Sequence, residues 1–460
     1  MNLSYGIKKL LSVFAAISIA VCCLPFAAAA VNSDEWKIWG DIKYCIDGDS
    51  LTIAPKDGME TAAMPNAESR SEVPWYSSRT KITAVTLEDG ITHIGDYAFY
   101  GFTGIWSVYD AAYANKQGYN FYLLKYPTSL ESFGAASFKN CSKLSTVIFP
   151  DNLYSADGAR NYGEIPDSLF ENCSALYKMT TQQNRTSNIA FPGKVNRLGK
   201  SAFSGCSNLN VPYGKIAVPN TVKTIDDYAF ENCTTVTIVH LIGSIERISP
   251  SAFNGCTSLS RIYIQLGTGQ QSGHEYYYIP NNYDGAELFN KAKTKFIRLM
   301  PAYQATEYTV PDTVKEIGDY AFYSSVNLEK ITIPNGVKSI GQDVFGYCPK
   351  LSEIHLPKSI ENIDLFALYG IGTQNVDIYY DGTAEDFKKL NVFLPSKISM
   401  HYTVAVGDLN SDGVINILDL IAIKKAIADK KDVTPQNDIN NDGYLNAEDM
   451  AALRKMLLTK

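Results

Sequence analysis

The chain has 460 residues, 45% of them apolar and 19% charged, with a net charge of −7 at neutral pH. That length allows two or three domains and a large buried core. So small a charge argues against a nucleic-acid or anionic-membrane partner, either of which needs a basic surface.

Met1–Ala30 reads as a secretory signal peptide. Lys8 and Lys9 precede an apolar run from Leu10 to Phe26, and Ala28, Ala29 and Ala30 supply a small-residue cleavage site. Cleavage after Ala30 leaves an exported, soluble chain. The apolar run is short and broken by Pro25, and no other stretch is long enough to span a bilayer. Cys22 and Cys23 follow Ala20 and Val21, a poor match to a lipoprotein signal. Residues 31–80 are expected to form an N-terminal capping module. There Trp36, Trp39, Leu51–Ile53 and Pro74–Tyr76 are separated by turns such as Asp47-Gly48-Asp49, which predicts short strands and hairpins.

From Lys81 a repeat takes over. Its clearest copy begins at Val310, VPDTVKEIGDYAFYSSVNLEKITIP, and the next reads NGVKSIGQDVFGYCPKLSEIHLP. Phe322, Phe345 and Leu368 share one slot at a spacing of 23, and Phe230 and Phe253 keep the same interval. Phe253 and Phe322 are three such intervals apart, with Phe289 expected to mark a degenerate copy between them. Copies at Phe99, Phe138, Phe170 and Phe203 are spread by insertions. Ile331 and Ile333, ended by Pro334, predict a short strand with its apolar side chains inward. The I-G-x-x-A-F segment adds an aromatic to the same core. One repeat cannot bury its own apolar face, so neighbours must stack into a solenoid.

These features resemble the BspA-like leucine-rich repeat family over residues 81–400. The resemblance extends to WY-x-x-R-x-x-I-x-x-V at Trp75–Val85 and IYYDGTAEDFKKL at Ile378–Leu390, read as caps on the ends of the stack. Six of the nine cysteines, Cys141, Cys173, Cys206, Cys233, Cys256 and Cys348, occupy one slot, F-x-x-C, filled elsewhere by Ser325 or Ile371. A slot that exchanges Cys for Ser or Ile is a small core position, so a ladder of buried thiols is expected rather than disulfides or zinc.

Residues 31–401 carry no recognisable catalytic constellation. His93, His240, His274 and His355 are scattered over different repeats, and no phosphate loop, G-x-S-x-G or H-E-x-x-H occurs. Asp226-Asp227 and Asp34-Glu35 read as solvated loop charge. A glycosidase needs two carboxyls facing each other across a cleft, and the pattern gives no sign of one. Two insertions are rich in rings: Gly101–Tyr126, with Trp106, Tyr109, Tyr113, Tyr119 and Tyr122, and Leu266–Tyr303, with Tyr276–Tyr278, Tyr283 and Tyr303. Such rings suit recognition of protein or sugar, or they pack over the solenoid edge.

After a linker at 401–407, residues 408–460 are written twice. DLNSDGVINILDLIAIKKAI from Asp408 is matched by DINNDGYLNAEDMAALRKML from Asp438. Asp408, Asn410, Asp412, Asn416 and Asp419 align with Asp438, Asn440, Asp442, Asn446 and Asp449. These are positions 1, 3, 5, 9 and 12 of an EF-hand-type calcium loop, with Gly413 and Gly443 at position 6. The carbonyls of Val414 and Tyr444 complete two oxygen shells, one for each of two Ca²⁺ ions. Unlike an EF-hand, each loop has Asp at position 12 and no helix leading into it. Helices are expected at Leu418–Ala428 and Glu448–Leu458, with Leu420, Ile421 and Ile427, then Met450, Leu453 and Leu457, on an apolar face. This duplicated loop-plus-helix unit resembles the type I dockerin, which implies a cohesin domain of a scaffold protein as partner. In that family the partner-reading positions correspond here to Ile417, Leu418, Lys424 and Lys425, and to Ala447, Glu448, Arg454 and Lys455. The first copy, apolar at Ile417-Leu418, is expected to be the main contact.

The expected architecture is a mixed α/β leucine-rich repeat solenoid followed by a small all-α calcium-binding dockerin. Together they predict a secreted, non-catalytic recognition or adhesion protein mounted on a cohesin-bearing scaffold, in plant polysaccharide degradation. Its solenoid would bind protein or carbohydrate, with no nucleic-acid partner and no membrane span. The alternative is a scaffold-borne glycoside hydrolase or esterase whose active site the pattern does not reveal.

Overall fold

The computed structural model describes residues 36–458, except 120, 151–152, 154–162, 183–188, 193–194, 210–213, 243–244, 266–286, 291, 372–373, 403–405, 411–414 and 435. The signal segment, Asp34-Glu35, His274, Tyr276–Tyr278 and Tyr283 therefore lie outside the described residues.

The repeat builds successive turns, each from three pieces. The first is a parallel strand, as in Lys330–Thr332, Glu353–Leu356 and Val376–Tyr380. There Ile331, Ile354 and Ile378 come into register and are buried. The second is a two-residue strand. Glu316–Ile317, Ser339–Ile340 and Asn362–Ile363 pair in parallel, one turn to the next. The third is the turn that carries the slot phenylalanine.

In most of those turns the residues two before and two after Phe adopt a left-handed backbone. Ala136 and Asn140 flank Phe138 at φ 53° and 64°, and Ser168 and Asn172 flank Phe170 at 58° and 62°. Such a backbone disfavours side chains with a Cβ, and Gly or Asn relieves the cost at the second position in Gly101, Asn140, Asn172, Gly205 and Asn232. The conformation turns alternate N–H groups toward the next turn. Ala136, Phe138 and Asn140 donate to the carbonyls of Asp167, Leu169 and Glu171, and Ser168, Phe170 and Asn172 donate to those of Lys200, Ala202 and Ser204. A third hydrogen-bonded ladder thus runs along the solenoid, and it satisfies backbone groups that burial would otherwise leave unpaired.

Inside the ladders the rings stack. Phe99, Phe138, Phe170, Phe203, Phe230 and Phe253 form one column with centroids 5.3–5.8 Å apart. Phe296, Phe322 and Phe345 form a second. Beside the first column each slot thiol donates to the carbonyl of the preceding slot Phe, from Cys141 to Phe99 at 3.0 Å through Cys256 to Phe230 at 3.0 Å. All six slot cysteines are buried and unbridged. Burial pushes the thiols of Cys256 and Cys348 up to about 12.

Between the two columns the structure corrects one assignment. The slot of the degenerate copy is held by Leu299, whose N–H donates to Ala321 as that of Phe322 does to Val344. Phe289 instead lies on the strand Glu287–Phe289, antiparallel to Lys295–Leu299, with its ring edge on Phe296. An antiparallel strand cannot continue the turn-by-turn coil, so a ring on it falls out of the column. Arg298, almost fully buried, bridges the break. It donates to Pro250 O and Asn254 Oδ1, both at 2.7 Å, and to Tyr323 O at 3.3 Å. Burial pushes its guanidinium down to about 10.

Asp226 is also corrected. It is buried rather than solvated, and it pairs with Arg197 and Arg247. Arg197 additionally reaches Glu164 and Asp167. Asp226 lies at the end of the short strand Thr224–Ile225, whose neighbours in the sheet each contribute an arginine.

The first sheet opens with Lys37–Trp39, Ile42–Asp47 and Ser50–Pro55 in antiparallel pairing. Ser50–Pro55 then pairs in parallel with Ala84–Leu87, so the sheet runs unbroken across residue 80. Trp75 is fully buried at this end, where its indole N–H donates to Ala98 O at 2.6 Å. The first insertion forms helix α1, Ala111–Gln117, capped by Asp110. The strand after it, Leu123–Tyr126, returns between Ala84–Leu87 and Ser107–Asp110. Tyr109, Tyr113 and Tyr119 cluster around α1, whereas Trp106 and Tyr122 stack on each other in solvent. Tyr303 packs against Tyr308.

At the far end helix α2, Ala384–Lys388, is capped by Thr383 and sets Phe387 against Tyr380. The last strand, Ile398–Tyr402, pairs with Val376–Tyr380. Residues 401 and 402, assigned from sequence to the linker, belong to it because Tyr402 is in register with Tyr380.

Candidate functional site

Beyond the solenoid stand two helices, α3 (Ile417–Ala428) and α4 (Ala447–Leu458), packed on each other. Each begins one residue earlier than its pattern predicts, because an asparagine caps it. Asn416 Oδ1 accepts from Leu418 N at 2.7 Å, and Asn446 Oδ1 accepts from Glu448 N at 2.6 Å.

The position-12 carboxylates tie each loop to its helix. Asp419 Oδ1 accepts from Leu409 N and Asn410 N, and its Oδ2 accepts from Asn416 N. Asp449 repeats this with Ile439, Asn440 and Asn446. Both side chains are fully buried, and Asp408 is nearly so. In the second loop Asp438 accepts from Asp442 N and Gly443 N, both at 2.9 Å. Gly443 takes the left-handed conformation, φ 80°, that its place in the loop requires. Asp442 Oδ1 accepts from Tyr444 N, and its Oδ2 accepts from the Asn440 amide. Asp412, Gly413 and Val414 lie outside the described residues.

Burying a carboxylate is costly unless positive charge or hydrogen bonding compensates. Asp419 and Asp449 have backbone N–H groups as their described partners, and Asp438 accepts from the backbone N–H of Asp442 across a short turn. An all-oxygen donor set of this kind suits a hard dication. The residue types therefore fit calcium, while among the described residues no three of these carboxylates are gathered into a metal-holding group.

Because Asp419 must point into its loop, it sets the rotation of α3. The inward stripe is Asp419, Ile423 and Ala426 in α3, and Asp449 and Leu453 in α4. This corrects the expected apolar face: Ile421 is 60% exposed and lies beside Ile417 and Leu418, at 66% and 53%. The register of the inward aspartate is the signal that could have found this. Lys424, Lys425, Ala447, Glu448, Arg454 and Lys455 are all exposed. The structure thus brings Ile417, Leu418, Ile421, Lys424 and Lys425 onto one open helix, with no equivalent apolar group on α4.

The histidines of the solenoid serve local contacts. His93 bonds Ser132 and Asn66, His355 bonds Glu353, and His240 packs edge-on against Tyr263.

Residues 106–189, 182–278 and 302–389 match the BspA type leucine rich repeat region, in six copies. Residues 406–458 match the dockerin type I domain. No curated protein matches the chain. Among solved structures it is similar to a leucine-rich cell surface protein from Faecalibacterium prausnitzii, at 20% identity and TM-score 0.50, covering 84% of this chain and 99% of that one. A leucine-rich repeat protein from Eubacterium ventriosum aligns at 19% identity and TM-score 0.44, over 81% and 85% of the two chains. At 20% identity the first of these likenesses speaks for the fold alone.

Proposed function

For a chain that belongs to the BspA-type leucine-rich repeat family and ends in a type I dockerin domain, we propose a non-catalytic recognition solenoid that docks onto a cohesin-bearing scaffold. The observation that carries this reading is the exposed apolar group Ile417, Leu418 and Ile421 on α3, flanked by Lys424 and Lys425. Three large aliphatic side chains on one open helix favour a protein partner over water. On α4 the matching positions are Ala447, Glu448, Arg454 and Lys455, so the two copies are not interchangeable and α3 is the main contact.

Two calcium ions would be held by Asp408, Asn410, Asp412, the Val414 carbonyl, Asn416 and Asp419, and by Asp438, Asn440, Asp442, the Tyr444 carbonyl, Asn446 and Asp449. Bound calcium supplies the positive charge that these carboxylates lack. Asp419 and Asp449 hold each loop against the first turn of its helix, and Asn416 and Asn446 start the helices. Helices of 12 residues are marginal alone, so their persistence depends on those loops. We place the protein outside the cell, in an assembly acting on plant polysaccharides, with the solenoid supplying recognition. The signal-like Met1–Ala30 and the scaffold attachment support that setting.

The test is helical circular dichroism and titration with type I cohesin domains, in EDTA and in excess calcium. Helicity and cohesin binding should both rise with calcium. Asp408→Ala and Asp438→Ala should each lower calcium affinity, and Leu418→Glu should weaken cohesin binding while sparing helicity. Full helicity and undiminished cohesin binding in EDTA would sink the calcium-dependent reading.

A further inference from the structure

Where the strands of the first sheet begin, successive turns place four residues in one row. The backbone fixes their order: Trp106 N donates to Tyr122 O, Ser145 N to Trp106 O, and Tyr177 N to Ser145 O. Three of the four are rings in solvent, with Trp106 47% and Tyr177 41% exposed. Trp106 and Tyr122 stack at 4.4 Å and 18°. Tyr122 is held at φ 59°, which a side chain with a Cβ adopts only against a steric cost, and it is not one of the repeat's flanking positions.

Ser145, half-buried, is the one small residue in the row, and its hydroxyl donates to Trp106 O at 3.0 Å. Trp106 and Tyr177 therefore stand two strands apart, about 9.5 Å at ordinary strand spacing, with a hydroxyl floor between them. That is room for one saturated six-membered ring between two aromatic side chains. The matching rims of later sheets carry no rings. They are Gly214, Thr237 and Ser260 in one, and Thr306, Glu329 and Ser352 in the other.

We propose that this rim binds a neutral polysaccharide, one pyranose seating over Ser145 with its faces on Trp106 and Tyr177 and the chain crossing the row. A pyranose offers apolar C–H faces to the rings and hydroxyl edges to the serine. The four residues bear no charge, and beyond Tyr122 the same edge continues to Thr83 and the acidic Asp49, which matches a neutral polymer and not an acidic polysaccharide. The inference rests on the recognition role proposed for the solenoid, not on the scaffold attachment.

Full-length protein is run by affinity electrophoresis in hydroxyethyl cellulose, glucomannan and xylan, with polygalacturonate as the charged comparison. At least one neutral polymer should retard it. Trp106→Ala and Tyr177→Ala should each weaken that binding about tenfold, the scale of a lost aromatic contact. Ser145→Lys, which fills the floor, should abolish it, and Tyr347→Ala, exposed in a distant turn, should leave it unchanged. All four variants should melt like the parent. Retardation by none of the neutral polymers, equal retardation of the Trp106 and Tyr177 variants, or preference for polygalacturonate would overturn the proposal. Cohesin capture is measured on the same samples. Intact capture without polysaccharide binding rejects the rim alone, and lost capture with retained polysaccharide binding rejects the scaffold reading alone.

Discussion

Phe322 stacks on Phe296 at 5.1 Å and on Phe345 at 5.8 Å, with no solvent exposure. Its neighbours are fixed by backbone ladders on either side and cannot collapse into a void. Phe322→Ala should therefore cost about 3–5 kcal/mol in denaturant unfolding. Arg298 is held by carbonyls and an amide oxygen, with no carboxylate among its described partners. Arg298→Ala removes the charge and orphans those oxygens, and should cost about 3 kcal/mol. Arg298→Lys, without the planar fork, should fall between. The slot thiols give a pH signature. Burial raises the folded values of Cys173, Cys206, Cys233, Cys256 and Cys348 above the ordinary 9.0, Cys256 and Cys348 to about 12, so the folded state holds protons that the unfolded chain releases. Stability from this source is complete below about pH 8.5 and is lost as pH rises toward 12. Melting temperature should fall between pH 8.5 and 11, and Cys256→Ala should flatten that slope.

At the scale of elements, what the sequence made legible was periodic. The spacing of 23 placed the slot phenylalanines, the alternation around Ile331 placed the strands, and the Asp/Asn grammar placed both C-terminal loops. What it hid was geometric. The turn ladder depends on left-handed residues two before and two after most slot phenylalanines. Its trace in the chain is a Gly or Asn at the second of these positions in most copies, replaced by Ser324 and Tyr347 in two, and easily taken for a loop residue. The cysteine slot looked apolar because a weak donor and a small hydrophobe have the same composition signal, whereas each thiol has a carbonyl facing it. Leu299 was hidden because a leucine in a phenylalanine slot breaks the pattern that defines the slot. On α3, periodicity alone put Ile421 inside. The inward pull of Asp419 rotates the helix and leaves Ile421 in solvent, so Ile421→Glu should weaken cohesin binding as Leu418→Glu does, with helicity unchanged in calcium.

In the whole molecule the turn ladder has a direction. From Tyr97 to Tyr347, every N–H named in it points toward the C-terminus and every accepting carbonyl toward the N-terminus. The solenoid is therefore polar along its length, like a filament with two unlike ends. At the first end the exposed groups are carbonyls, met by the indole of Trp75. At the last they are donors, and the N–H of Phe366 is met by the carboxylate of Asp364. A chain made from its N-terminus exposes, along the turn edge at each stage of synthesis, a row of unmet donors. The next turn to emerge supplies the carbonyls. Folding can thus add one turn at a time in the order of translation, and a chain cut short within the array would end in a face that is complementary to strand-like backbone from any source.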